Sequence, residues 1–175
     1  MLRIALTGPE STGKSTLSQQ LAAHYHARWV PEYARAYLAG RRPPYVLADL
    51  EAIARGQLAA EEEAATGDVL FCDTDLLVIK IWAGHAFGHC PDWIARRVAR
   101  PRYDLVLLLG IDVPWEPDPL REHPHLRQHF YDLFRDELAA AGARFVEVWG
   151  PPARRFAEAR RLVDALLLRG GPAVA

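Results

Sequence analysis

The sequence is short of cysteine, of long apolar runs and of any surplus of charge. Its two cysteines, Cys72 and Cys90, are too few for a disulfide framework in a chain of 175 residues. No apolar run approaches the roughly 18 residues needed to cross a bilayer. The opening MLRIALTGPES has no basic stretch, no long apolar stretch and no small-residue cleavage site, so no secretory signal is read there. Lysine and arginine number 21 against 22 aspartates and glutamates, a formal net charge of −1. That balance argues against nucleic acid or an anionic membrane as the main partner, while leaving room for a local basic site. There is no internal repeat and no low-complexity segment. What remains is ordinary globular stock, half apolar and a quarter charged, enough for one domain over 1–175 with a proper core. A cytoplasmic protein is expected.

Periodicity then divides the chain. Apolar runs at Leu2–Thr7, Trp29–Val30, Val69–Asp73, Tyr103–Leu109 and RFVEVW (144–149) predict five strands. Between them, helical spacing is read over Lys14–His26, Tyr33–Ala39, Leu47–Ala65, from strand three to Ala83, over DWIARRVA, from Pro124 to Ala141, and over Ala153–Leu168. Gly40 and RRPP read as a helix stop and loop, and the residues after Arg169 as a frayed tail. Alternating strands and helices in a short chain predict an α/β fold, a parallel sheet with helices on both faces.

Gly8-Pro9-Glu10-Ser11-Thr12-Gly13-Lys14-Ser15, followed by Thr16, carries the pattern G-x-x-x-x-G-K-[ST] between the first strand and the first helix. Gly8 and Gly13 permit backbone angles and close approaches that a Cβ would block, so successive N–H groups can turn inward around an anion. The helix beginning near Lys14 adds its positive end. Lys14 supplies a mobile charge for the β and γ phosphates, and Ser15 a hydroxyl for Mg²⁺. The segment is read as a MgATP cradle.

A metal-side carboxylate is expected at the end of a neighbouring strand, and VLFCDTD offers Asp73. Asp75 reads either as an acceptor-side or metal-water group or as the cap of the following helix. Glu32, in Pro31-Glu32-Tyr33-Ala34-Arg35, reads either as a carboxylate that holds and deprotonates an acceptor hydroxyl or as a helix-dipole partner. The proline-rich, polar stretch over about 112–127 reads as a short lid, with Arg121 and Arg127 as cations for the transferring phosphoryl group or as solvated loop charges. His123, His125, His129, His85, His89 and Cys90 lack the paired spacing of a structural zinc site, so zinc is not expected. Trp82, Trp93 and Trp149 read as core. Tyr33, Tyr37 and Trp115 lie where they could stack on a flat ring.

GPESTGKSTL, PEYAR, FCDTD and W-x-x-D-x-L-R (Trp115, Asp118, Leu120, Arg121), in that order over nearly the whole chain, resemble the ribosylnicotinamide kinase domain of NadR-type NAD biosynthesis proteins. The resemblance implies a P-loop nucleoside-kinase-like three-layer fold with a five-stranded parallel sheet and a short lid. It implies transfer of the ATP γ-phosphate to the ribose 5′-hydroxyl of nicotinamide riboside, with ATP and Mg²⁺ as cofactors. Glu32, Tyr33, Arg35, Asp73, Asp75 and Trp115 are then expected around the acceptor. In P-loop kinases the connection holding Pro151, Pro152 and Ala153 commonly flanks the adenine. Proteins of this type generally carry an adenylyltransferase domain before the kinase; here a stand-alone kinase is expected, leaving that step to a separate nicotinamide mononucleotide adenylyltransferase. A homo-oligomer is compatible with these features. The runners-up are a deoxynucleoside or nucleoside-monophosphate kinase, for which Arg35, Arg41 and Arg42 could hold an acceptor phosphate, and a regulatory P-loop ATPase.

Overall fold

In the computed structural model the described residues are 1–39 and 45–170. The loop RRPP with Gly40, the arginines Arg41 and Arg42, and residues 171–175 of the expected tail lie outside them; Gly170, also expected in the tail, is the last residue of a helix. The elements run β1 (Leu2–Thr7), α1 (Lys14–His24), β2 (Arg28–Val30), α2 (Tyr33–Leu38), α3 (Leu47–Glu63), β3 (Val69–Asp73), α4 (Leu76–Phe87), α5 (Asp92–Val98), β4 (Leu105–Leu109), α6 (Arg127–Ala140), β5 (Phe145–Val148) and α7 (Pro152–Gly170).

The five strands form one sheet in the order β2-β3-β1-β4-β5, and every neighbouring pair is parallel. Side chains alternate across it as strand geometry requires. Ile4, Leu6, Phe71 and Leu107 meet Leu17 and Leu21 of α1 and Val163 of α7 on one face. Ala5, Leu70, Cys72 and Leu108 meet Leu77 of α4 and Phe134 and Leu138 of α6 on the other. Both faces are therefore dry, which is why these strands read as continuous apolar runs. A third cluster, with Ala34, Leu50, Ile53, Ile79 and Ile94, packs α2, α3, α4 and α5 together beside the sheet.

Most boundaries shift by one to four residues from expectation, and two of the shifts have a visible cause. Helix α4 continues past Ala83 to Phe87 because nothing breaks it before Gly88, which ends it at φ 74°. Strand β4 begins at Leu105, since Tyr103 instead sends its hydroxyl sideways to Glu61 Oε1 at 2.9 Å. The carboxyl ends of β1, β2, β3 and β4 open towards one side, and the loops leaving them build the cavity described next.

Candidate active site

The chain turns sharply as it leaves β1. Gly8 has φ 132°, and a Cβ there would stand 3.0 Å from the carbonyl oxygen of Leu109, so the loop runs hard against the end of β4. Gly13, at φ 82°, is the residue from which α1 springs. Ser11 adopts φ 57°, a left-handed conformation unusual outside glycine. The Thr12 hydroxyl closes the loop by donating to the Pro9 carbonyl at 2.9 Å. Lys14 Nζ donates to the carbonyls of Gly8 and Pro9 at 2.9 and 2.8 Å. Desolvation lowers the Lys14 pKa, opposed by the carboxylates of Glu32, Asp73 and Glu10, while Arg121 adds to the lowering. Those five groups share one neighbourhood.

The loop forms one wall of a cavity of about 930 Å³. Gly8 to Thr16 line it, as do Glu32, Arg35, Arg121, Pro152 and Arg155. Pro151 and Ala153, grouped with Pro152 in the expected adenine-side connection, are not among its lining residues. Helix α7 begins at Pro152, so that first residue and Arg155, one turn on, are what the helix presents to the cavity.

The three candidate carboxylates have different fates. Asp73 ends β3, is buried and is not among the lining residues, which corrects its expected place around the acceptor; its Oδ1 has no hydrogen-bond partner among the described residues. Burial raises its pKa, while the Ser15 hydroxyl and the Lys14 ammonium favour its charged form. Asp75 resolves towards the helix cap. It is the N-cap of α4, accepts from Val78 N at 3.4 Å and from the Thr7 hydroxyl at 3.0 Å, and does not line the cavity. The expected acceptor-side role of Asp75 is thereby corrected: its lone pairs are directed into the fold. Glu32 resolves the opposite way. It occupies the N-cap position of α2 but makes no side-chain cap bond, and it lines the cavity. Its nearest cation is Arg35, Nε to Oε2 at 3.7 Å. Burial raises the Glu32 pKa, with Lys14 opposing and Asp73 reinforcing.

The segment between β4 and α6 lies across the loop. Glu116 N donates to Ser11 Oγ at 2.8 Å, and Glu122 N and His123 N donate to Glu10 Oε2 at 3.1 and 3.2 Å. On the far side Arg35 Nη1 reaches Asp118 Oδ2 at 3.0 Å, and the Tyr45 hydroxyl reaches Glu122 at 3.2 Å. Arg121 lines the cavity and bonds back to the Glu116 carbonyl and, at 3.4 Å, to Ser11 Oγ. Arg127 does not line it. As the first residue of α6, its guanidinium donates to the carbonyls of Val113 at 2.9 Å and Ser11 at 3.0 Å. It braces the loop against the segment, which corrects its expected place as a lid cation.

The aromatic expectations need similar correction. Tyr33 turns away from the cavity, its ring lying over α3 so closely that a Cβ at Gly56 would fall 2.2 Å from Cε1. Tyr37 donates its hydroxyl to Asp49 at 2.8 Å and also lies outside the lining. Trp115 is outside it as well, 6.0 Å beneath the Arg127 guanidinium. Trp82, expected in the core, packs against the third cluster and also lines the cavity, with Nε1 donating to the Tyr45 hydroxyl at 2.7 Å. The apolar face of α4 outruns the core, and Trp82 sits where it emerges. Trp93 and Trp149 pack against core clusters as expected.

Tyr45 and Arg155, both lining the cavity, carry no motif in the sequence. Arg155, 3% exposed, donates to the carbonyls of Gly150, Thr12 and Gly110 at 2.7, 2.7 and 2.9 Å and pairs with Asp112. Its signal was positional: Arg155, Ala159, Val163 and Leu166 share the inward face of α7, so an arginine there had to find acceptors.

Residues 3–155 match a protein-family model described as an AAA domain. Over 153 residues the chain is 30% identical to the trifunctional NAD biosynthesis/regulator protein NadR of Escherichia coli (strain K12), an alignment covering 83% of this chain and 37% of that protein. The chain thus spans well under half the length of this curated relative. Among solved structures, NadR protein in complex with NR superimposes with a TM-score of 0.78 at 22% identity, covering 99% of this chain and 53% of that one. Deoxyadenosine kinase from M. mycoides superimposes with a TM-score of 0.66 at 12% identity, covering 94% of this chain and 100% of that one. The fold is that of the P-loop nucleoside kinases.

Proposed function

Because the chain belongs to the AAA-domain family, whose model covers residues 3–155, we propose that it transfers the γ-phosphoryl group of ATP to the ribose 5′-hydroxyl of nicotinamide riboside, giving nicotinamide mononucleotide. The observation that carries the kinase reading is the meeting, in one cavity, of a phosphate loop with Lys14 and a carboxylate, Glu32, that its own helix does not use. The likeness to NadR supports the choice of acceptor.

The loop from Gly8 to Thr16 holds the triphosphate through inward N–H groups and the start of α1. Ser15 and Asp73 fit Mg²⁺, since a buried carboxylate oxygen without a partner stands in the neighbourhood of a hydroxyl. Bound there, the ion would neutralise charge shared between the β and γ phosphates. Glu32 accepts the proton of the ribose hydroxyl as its oxygen bonds to the γ-phosphorus. The bond from that phosphorus to the β–γ bridging oxygen breaks, and ADP leaves. Lys14 and Arg121 hold the charge in transit, which is where preorganised electrostatics contribute most. Trp82 and Tyr45 offer a flat-ring subsite on the acceptor side.

A monophosphate acceptor is less well served. Arg35 is already engaged by Glu32 and Asp118, and Arg41 and Arg42 lie outside the described residues. The test is ADP release with nicotinamide riboside, thymidine and thymidylate as rival acceptors. Turnover with nicotinamide riboside is expected. Turnover with thymidylate alone, or steady ATP hydrolysis indifferent to any acceptor, overturns the proposal. Lys14→Ala should lose at least ~10²-fold in turnover.

A further inference from the structure

We infer that Glu10 is a positioning residue, a latch that holds the 116–123 segment shut over the phosphate loop and so presents Arg121 to the transferring group. The inference rests on the kinase reading above and adds a residue to it.

Glu10 lies inside the phosphate loop, where a negative side chain would repel a triphosphate if it pointed inward. The carboxylate is drawn off by two backbone donors instead. Glu122 N bonds to Oε1 and Oε2 at 3.3 and 3.1 Å, and His123 N to Oε2 at 3.2 Å. N–H groups donating to an ionised acceptor make stronger bonds than those between neutral partners. Its neighbour Ser11 takes the other end of the segment, accepting from Glu116 N at 2.8 Å. Two adjacent loop residues thus pin the segment at two points, and Arg121 lies between them. The turn that carries Arg121 is itself closed, Arg121 N donating to the Asp118 carbonyl at 3.0 Å and Leu120 N to Asp118 Oδ1 at 2.9 Å. With both anchors made, the path from loop to Arg121 is short and braced. Without Glu10 the segment keeps Ser11 and Arg127 on the loop side and Arg35 and Tyr45 on the far side, and the stretch just after Arg121 loses its backbone bonds to the loop.

Hydrogen exchange on the full chain tests the latch with no acceptor present, so failure of the substrate assignment leaves this arm intact. In Glu10→Ala the peptide containing the amides of Glu122 and His123 should exchange at least several-fold faster than in the parent. Unchanged exchange would overturn the latch. The kinetic arm is a double-mutant cycle scored as ADP release with whichever acceptor supports turnover. Glu10→Ala should lower kcat by ~10-fold or more with little change in KM for ATP or acceptor, and Glu10→Gln, which keeps an acceptor oxygen, should recover part of the loss. In an Arg121→Ala background, Glu10→Ala should cost little more, because residues acting through one group are not additive. Independent, multiplying losses in the cycle, or a rise in acceptor KM alone with kcat unchanged, would make Glu10 a substrate ligand and sink the proposal.

Discussion

At the scale of single residues, the proposed mechanism turns on the contrast between Glu32 and Asp75. Both stand at helix N-caps, yet only Asp75 caps. Glu32→Gln should therefore abolish most turnover while leaving ATP binding and the melting temperature nearly unchanged, checked by nucleotide titration beside a thermal melt. As a base, Glu32 must be ionised, and burial raises its pKa; the acid limb of the pH–rate profile should lie above the ordinary glutamate value and disappear in that variant. Asp75 answers to stability instead. Its pKa is raised to about 6 by burial, against about 3.9 for aspartate in an unfolded chain. Between those values the folded protein keeps a proton that the unfolded chain releases, so Asp75's contribution to stability falls as pH rises through the window. Asp75→Asn keeps an acceptor for Thr7 and Val78 and should flatten that part of the pH dependence of unfolding. Asp75→Ala should cost about 1–2 kcal/mol through the lost cap. Both roles were open in the sequence for each residue, because reach to a backbone N–H depends on a turn whose shape no motif states. That turn includes Thr74, held at φ 103°.

Elements read more plainly than the contacts between them. Among the described residues, five strands announce themselves as short apolar runs and seven helices through apolar residues at helical spacing. The segment over the loop does not, since its anchors join residues 105 to 113 positions apart and involve backbone donors common to every sequence. Tyr33 was misread for the same reason: only the absence of a Cβ at Gly56 lets its ring lie on α3. Gly56→Ala gains roughly 1 kcal/mol of helix propensity but drives Tyr33 off α3. Helix α2 is further tied there by Tyr33 N donating to the buried Gln57 Oε1 at 3.0 Å. Its start carries Glu32, so activity should fall more than stability, read as a drop in kcat at a melting temperature within a few degrees of the parent.

Across the whole molecule, Arg155 gathers what the sheet alone leaves apart. It ties the phosphate loop at Thr12, the end of β4 at Gly110 and the end of β5 at Gly150, with Asp112 balancing its charge. Arg155→Met keeps much of the volume but strands three carbonyls. Leaving buried carbonyls without a donor costs about 1–3 kcal/mol each, measurable as a fall in the urea midpoint, whereas Asp112, about a third exposed and still bonded by Gly150 N, adds little to the loss. The order β2-β3-β1-β4-β5 has a consequence for the making of this protein. Its central strand, β1, is the earliest of the five to leave the ribosome, and its partners follow only with Val69 and Leu105. Until then a nascent chain must carry Ile4, Ala5 and Leu6, all fully buried in the finished fold, without a sheet to receive them. Nonlocal pairing of this kind is slow and prone to misassociation, so folding during synthesis should be a late event that waits for β4, and truncations ending before Leu109 should be ready clients for chaperones.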